Sequence, residues 1–140
     1  MSKPIWDAAG SNLDLATVGY SVSPSSPQPR MTTHSVPGVD GVFVGFHGVG
    51  PRYWYGQGIL SGATPTTEAA ACKNIKVDIL ARQAKIAAEI KSYTDTSGTV
   101  YTYCVLMSFR EAGPIVPYGF GAGTYLARVP VTFIIMQQDP

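Results

Sequence analysis

From Thr66 to Tyr93 the chain contains neither glycine nor proline, although fifteen Gly and eleven Pro interrupt the rest of it. Residues in this window are mostly good helix formers, so it is read as one long helix at about 66–93. Thr66 is placed to cap the first turn, and Glu68 lies where the helix dipole favours a negative charge. Cys72, Ile75, Ile79, Ile86 and Ile90 recur on one stripe, while Lys73, Lys76, Asp78, Arg82, Lys85 and Glu89 take the remaining surface. That pattern describes a helix laid on a sheet.

Outside this window glycine and proline cluster between short apolar runs, the punctuation of a β-rich fold. Residues 1–37 lack sustained periodicity, and Ser23-Pro24-Ser25-Ser26-Pro27-Gln28-Pro29 repeatedly removes backbone donors. They are read as an extended N-terminal arm, in which only Leu13–Val22 alternates well enough for a strand, with a shift of phase midway. Pro37-Gly38-Val39-Asp40-Gly41 signals a turn into a strand at about 41–47. His47-Gly48-Val49-Gly50-Pro51 signals another into residues 52–60, so the two are expected to form a hairpin. Glycines 45, 56 and 58 suggest bulges or a sharply coiled sheet. Asp95-Thr96-Ser97-Gly98 precedes a strand at 100–109 whose two faces are both largely apolar. A final strand, 124–136, places Tyr125, Ala127, Val129, Val131, Phe133 and Ile135 on one apolar face, with Pro130 indicating an edge or a bulge. Residues 110–123 form a long, almost uncharged connection; Ile115, Val116, Tyr118 and Phe120 either fold back on the core or dock on a partner.

The expected fold is therefore mainly β with one long helix (α+β): an antiparallel β-sandwich or barrel flanked by that helix. Its 140 residues fit a single domain, taken as 38–140 behind the arm. A net charge of +1 and 14% charged residues leave no electrostatic footprint for specific nucleic-acid recognition. No apolar run approaches the roughly 18 residues that cross a bilayer, and the N-terminus does not read as a signal peptide, so a soluble chain without membrane insertion is expected. Cys72 and Cys104 read as free thiols in a helix and a strand.

A search for chemistry nominates no catalytic residue, no metal ligand and no cofactor site, so the chain is expected not to be an enzyme. Phe46-His47-Gly48-Val49-Gly50 has the glycines of an oxyanion loop, but no G-x-S-x-G accompanies it and a turn explains them. His34, Asp40 and His47 could compose a two-His-one-carboxylate set, yet lack the helical spacing that would support it. The carboxylates are dispersed. Arg52-Tyr53-Trp54-Tyr55 could stack on sugar rings or make a protein contact; strand alternation separates Trp54 from the two tyrosines.

Extended arm, hairpin, long helix and two long strands joined by a long loop follow one another in that order. With Val36-Pro37-Gly38-Val39-Asp40-Gly41 before the hairpin and Gly98-Thr99-Val100-Tyr101-Thr102-Tyr103 before the late strand, this resembles the tail-tube and distal-tail (baseplate hub) proteins of tailed bacteriophages. The resemblance covers roughly residues 36–136. It implies a structural virion protein that forms a homomeric ring, a hexamer, in the phage tail, assembled in the bacterial host cytoplasm. Its partners would be copies of itself and neighbouring tail or baseplate proteins, with DNA passing only as non-specific cargo. Ile5, Trp6, Tyr53, Trp54, Ile115, Val116, Tyr118 and Phe120 are the expected contacts between subunits. The alternative is a glycan- or receptor-binding β-sandwich that uses Tyr53, Trp54 and Tyr55.

Overall fold

The computed structural model describes residues 3–25, 29–38, 40–41, 43–49, 51–61, 67–119 and 125–138, with 29–32, 43–49 and 118–119 as backbone. The described residues are mainly β with a single helix. Ten strands are β1 (Ile5–Trp6), β2 (Leu13–Asp14), β3 (Val18–Pro24), β4 (Pro29–His34), β5 (Phe43–Val49), β6 (Arg52–Ser61), β7 (Lys91–Thr94), β8 (Val100–Glu111), β9 (Val116–Gly119) and β10 (Tyr125–Gln137). The helix α1 is Glu68–Gln83, between β6 and β7. All pairings are antiparallel. The main sheet runs β2-β1-β7-β8-β10-β6-β3, with β9 also on β10, while β4 and β5 pair only with each other.

Chain connectivity forces this sheet to curl. The six steps from β2 to β3 would separate the edges by roughly 29 Å in a flat sheet. Asp14 and Val18 are joined by only Leu15, Ala16 and Thr17, a stretch that reaches at most about 14 Å. The edges therefore turn towards each other and the sheet curls around its core. Thr17 ties the crossing to β6, the strand beside the far edge, its N–H and Oγ1 both donating to the Ile59 carbonyl at 2.9 and 3.0 Å. Two glycines accommodate the curl: a Cβ at Gly58 would stand 2.6 Å from that of Ala16, and one at Gly56 would enter the Phe133 ring.

The concave face holds the core. Ala127, Val129, Val131, Phe133 and Ile135 alternate inward from β10, as expected from their period of two, and meet Leu60, Leu106 and Phe109 from its neighbours. α1 packs along β8, β9 and β10 with Ala71, Ile75 and Ile79 buried. Arg82 is buried too: its Nε donates to the Asp14 carbonyl at 2.6 Å and its Nη1 to the Asp78 carbonyl at 2.9 Å, clamping α1 onto β2. At one end Trp54 lies 5.3 Å from Tyr93 and 4.7 Å from Tyr101, with the Arg52 guanidinium 5.8 Å over the Trp54 ring. Each aromatic pair contributes about 1 kcal/mol beyond its buried area.

Several expectations are corrected here. Residues 3–24 are not an arm, because Trp6, Leu15 and Ala16 are fully buried and β1 and β3 are strands of the main sheet. The phase shift noted in Leu13–Val22 is the break between β2 and β3. The helix stops ten residues before Tyr93. Its cap is Thr67, whose Oγ1 accepts from Ala70 N at 3.2 Å. After the C-cap at Ala84, Ala87 adopts φ 54° and donates its N–H to the Leu106 carbonyl, ending the helical ladder. Lys91–Thr94 then pairs with β1 and β8 and seals Tyr93 in the core, an aromatic burial of about 2 kcal/mol that outweighs local helix propensity. Ile90, assigned to the helix stripe, is exposed.

The expected hairpin between residues 41–47 and 52–60 is also absent. β5 pairs with β4 and β6 with β3, so the two runs are not hydrogen-bonded to each other. The connection 110–123 is partly strand: β9 pairs with β10 through Tyr118 opposite Leu126. In β8, Tyr103 has φ 57° and the register slips near Met107, so strict alternation fails and Cys104, Val105 and Leu106 are all buried. Pro130 sits in an interior strand where the neighbour of β10 changes from β9 to β8; no ladder donor is needed there, and its carbonyl accepts from Ala112 N at 2.7 Å.

Candidate functional site

The outer face of the sheet, turned away from α1, carries a groove over β3, β6, β10 and β8. Registered residues on adjacent strands share a face, which organises the groove into rows. One row is Ser21, Gln57, Thr132 and Arg110; the next is Ser23, Tyr55, Ile134 and Ser108. A further row, Tyr53, Met136 and Val105, is apolar. The groove has a volume of about 370 Å³. A second hollow of about 220 Å³ continues from Gln57 and Thr132 towards Ile59, Pro130 and Ala112.

Tyr55 is half exposed and stacks on Tyr53, with centroids 6.2 Å apart and planes 19° from parallel. Arg110 donates from Nε to Thr132 Oγ1 at 3.4 Å. Among the described residues no carboxylate lines the groove: Glu111 points to the opposite face and binds Lys76 Nζ of α1 at 2.6 Å. Polar, aromatic and cationic groups thus meet in one open channel. Sequence inspection had singled out Tyr53 and Tyr55 but missed Arg110, Gln57, Thr132 and the serines. These lie far apart in the chain, and only strand register aligns them.

The residues expected at subunit contacts separate into groups. Trp6 and Trp54 are core, at 0% and 2% exposure, and are not available to a partner. Ile5 is half-buried on β1 between Asp14 and Thr94. Tyr53 is half-buried on the outer face, and Ile115 packs on the core from its margin. Val116 is exposed on β9. Tyr118 is a backbone partner in β9, and Phe120 lies outside the described residues. The Phe46–Val49 stretch, expected as a turn, is strand β5, while Gly50 lies outside the described residues. His34 is exposed on β4, opposite Phe43. Among the described residues no three His, Cys, Asp or Glu side chains could together hold a metal ion. No helix among them is long and apolar enough to cross a membrane.

Burial pushes the Cys104 thiol up to about 12, only partly opposed by a backbone hydrogen bond from Tyr93. Burial, reinforced by the Asp95 charge, likewise raises the Tyr93 phenol above its ordinary range. Neither is poised for chemistry near neutrality.

No protein-family model matches this chain, and no curated protein matches it either.

Proposed function

We propose that the chain is a structural protein of a tailed-phage virion, forming a homomeric ring in the tail tube or the distal hub that conducts DNA. The supporting observation is the β4–β5 ribbon. Among the described residues its two strands pair with each other and with no strand of the main sheet. A two-stranded ribbon is marginal by itself in water, so a partner surface is the natural source of its stability. The sequence of β5, with Phe43, Val44, Phe46 and Val49, is apolar enough to benefit. Val100, Tyr103 and Met107 of β8 and Val116 of β9 are further exposed hydrophobics that a neighbouring subunit could cover.

In this reading the ring is a hexamer located in the virion tail, built in the host cytoplasm from copies of this chain, with neighbouring tail or baseplate proteins above and below. DNA is non-specific cargo, in keeping with the near-neutral charge. The ribbon, and not residues 3–24, reaches the neighbouring subunit.

The test is absolute mass by light scattering across a concentration range, with negative-stain imaging of any large species. The chain is expected to form rings or tubes. Replacing residues 30–48 by Asn-Gly, which joins Pro29 and Val49 as register partners, is expected to abolish assembly while preserving the circular dichroism of the body. Undiminished assembly of that variant would overturn the role of the ribbon.

A further inference from the structure

We propose that the outer-face groove binds an acidic oligosaccharide, with Tyr55 stacking on a sugar ring and Arg110 pairing with a sugar carboxylate. This goes beyond assembly and uses a different surface from the ribbon.

The groove's volume, about 370 Å³, is that of a small-ligand site. Its floor excludes an extended peptide bound by strand addition, because β6 is paired with both β3 and β10, and β10 with both β6 and β8. A ligand here is recognised by side chains. Ser21, Ser108 and Thr132 hydroxyls and the Gln57 amide each donate and accept, which suits a polyhydroxylated molecule better than an apolar one. The Tyr53 stack holds Tyr55 with half its surface open, and an aromatic ring beside hydroxyl and amide groups offers a sugar both its apolar face and its hydrogen bonds.

Charge selects among sugars. Among the described lining residues Arg110 alone is ionised, and its hydrogen bond to Thr132 at 3.4 Å uses only Nε of its planar fork. A carboxylate matches that fork. Arg110 and Tyr55 lie two strands and one row apart, about 12 Å between backbone positions, so one ligand touching both is an oligomer. The glycan reading that relied on Trp54 fails because that ring is core; the sugar face is built by strand register instead.

The experiment is calorimetric titration of the full chain with tetragalacturonate, its methyl-esterified neutral form and a tetraglutamate peptide. Binding of the uronate is expected, weakened about tenfold or more by esterification and by Arg110→Gln, as loss of a charged hydrogen-bonding pair requires. Tyr55→Ser is expected to weaken it as well. Arg110 is exposed, so its replacement spares the fold, which an unchanged melting temperature checks. No binding at about 10 mM uronate, equal affinity for the esterified form or the peptide, or indifference to Arg110→Gln each overturns the assignment. Light scattering on the same samples reads assembly separately, so failure of the groove and failure of the ring are distinguishable.

Discussion

Gly56→Ala tests whether the curled sheet is packed as tightly as described. The new Cβ would fall inside contact distance of Phe133 Cζ and Cε2 and 2.7 Å from Cε1. Phe133 is 1% exposed, held on β10 between β6 and β8, so its ring cannot swing into solvent. Overpacking of this kind costs about 1–3 kcal/mol, and overlap with three ring atoms places it at the upper end. Loss of glycine's freedom in the unfolded chain returns about 0.4–1 kcal/mol, leaving roughly 2 kcal/mol of destabilisation. With an unfolding entropy of about 2.1 cal/mol/K per residue, that lowers Tm by roughly 7 °C. Urea titration followed by circular dichroism reads the difference directly. Phe133→Leu supplies the control: in that background Gly56→Ala should be nearly neutral, giving a coupling energy of about 1 kcal/mol or more. An alanine variant within about 0.5 kcal/mol of the parent, or the same cost in both backgrounds, would refute the steric account.

Two further predictions concern the core. Arg82→Met keeps the aliphatic stem but removes the donor to the Asp14 carbonyl, and is expected to cost about 1–2 kcal/mol in urea; a loss below about 0.5 kcal/mol would show that Arg82 does not clamp α1 to β2. In native protein at about pH 8, a thiol reagent is expected to modify half-buried Cys72 well before Cys104, which reacts only on unfolding. Because the Cys104 pKa is raised to about 12 from an unfolded value near 8.5, its contribution is intact below about pH 8.5 and is lost as pH rises towards 12. Tyr93 acts in the same direction at still higher pH. Equal reaction rates of the two thiols in the native state would contradict the burial of Cys104.

Local chemistry carried a good part of the architecture. The inward alternation of β10 was legible because a strand's period of two needs no knowledge of its neighbours, and the presence of a helix followed from propensity. Its end was not legible: nothing within Gln83–Tyr93 breaks a helix, and the stop is imposed by the hydrogen bond from Ala87 to Leu106 and by the place that β1 and β8 provide for Tyr93. Pro130 read as an edge signal because a missing donor is a local fact, whereas the handover from β9 to β8 that excuses it is not.

The groove shows the same division. Tyr53 and Tyr55 were visible in the sequence as neighbouring aromatics, and their shared face followed from alternation. Their meeting with Ser21, Arg110 and Thr132 depended on the registers of β3, β8 and β10 against one another, set by long-range pairing. Composition and periodicity determined a mainly antiparallel β-chain with one helix and the inward side of its last strand. Tertiary structure decided that the supposed arm is part of the sheet, that Trp6 and Trp54 are core, and which side chains share the outer face. Those outcomes depend on burial gained between segments distant in the chain, which no local window contains.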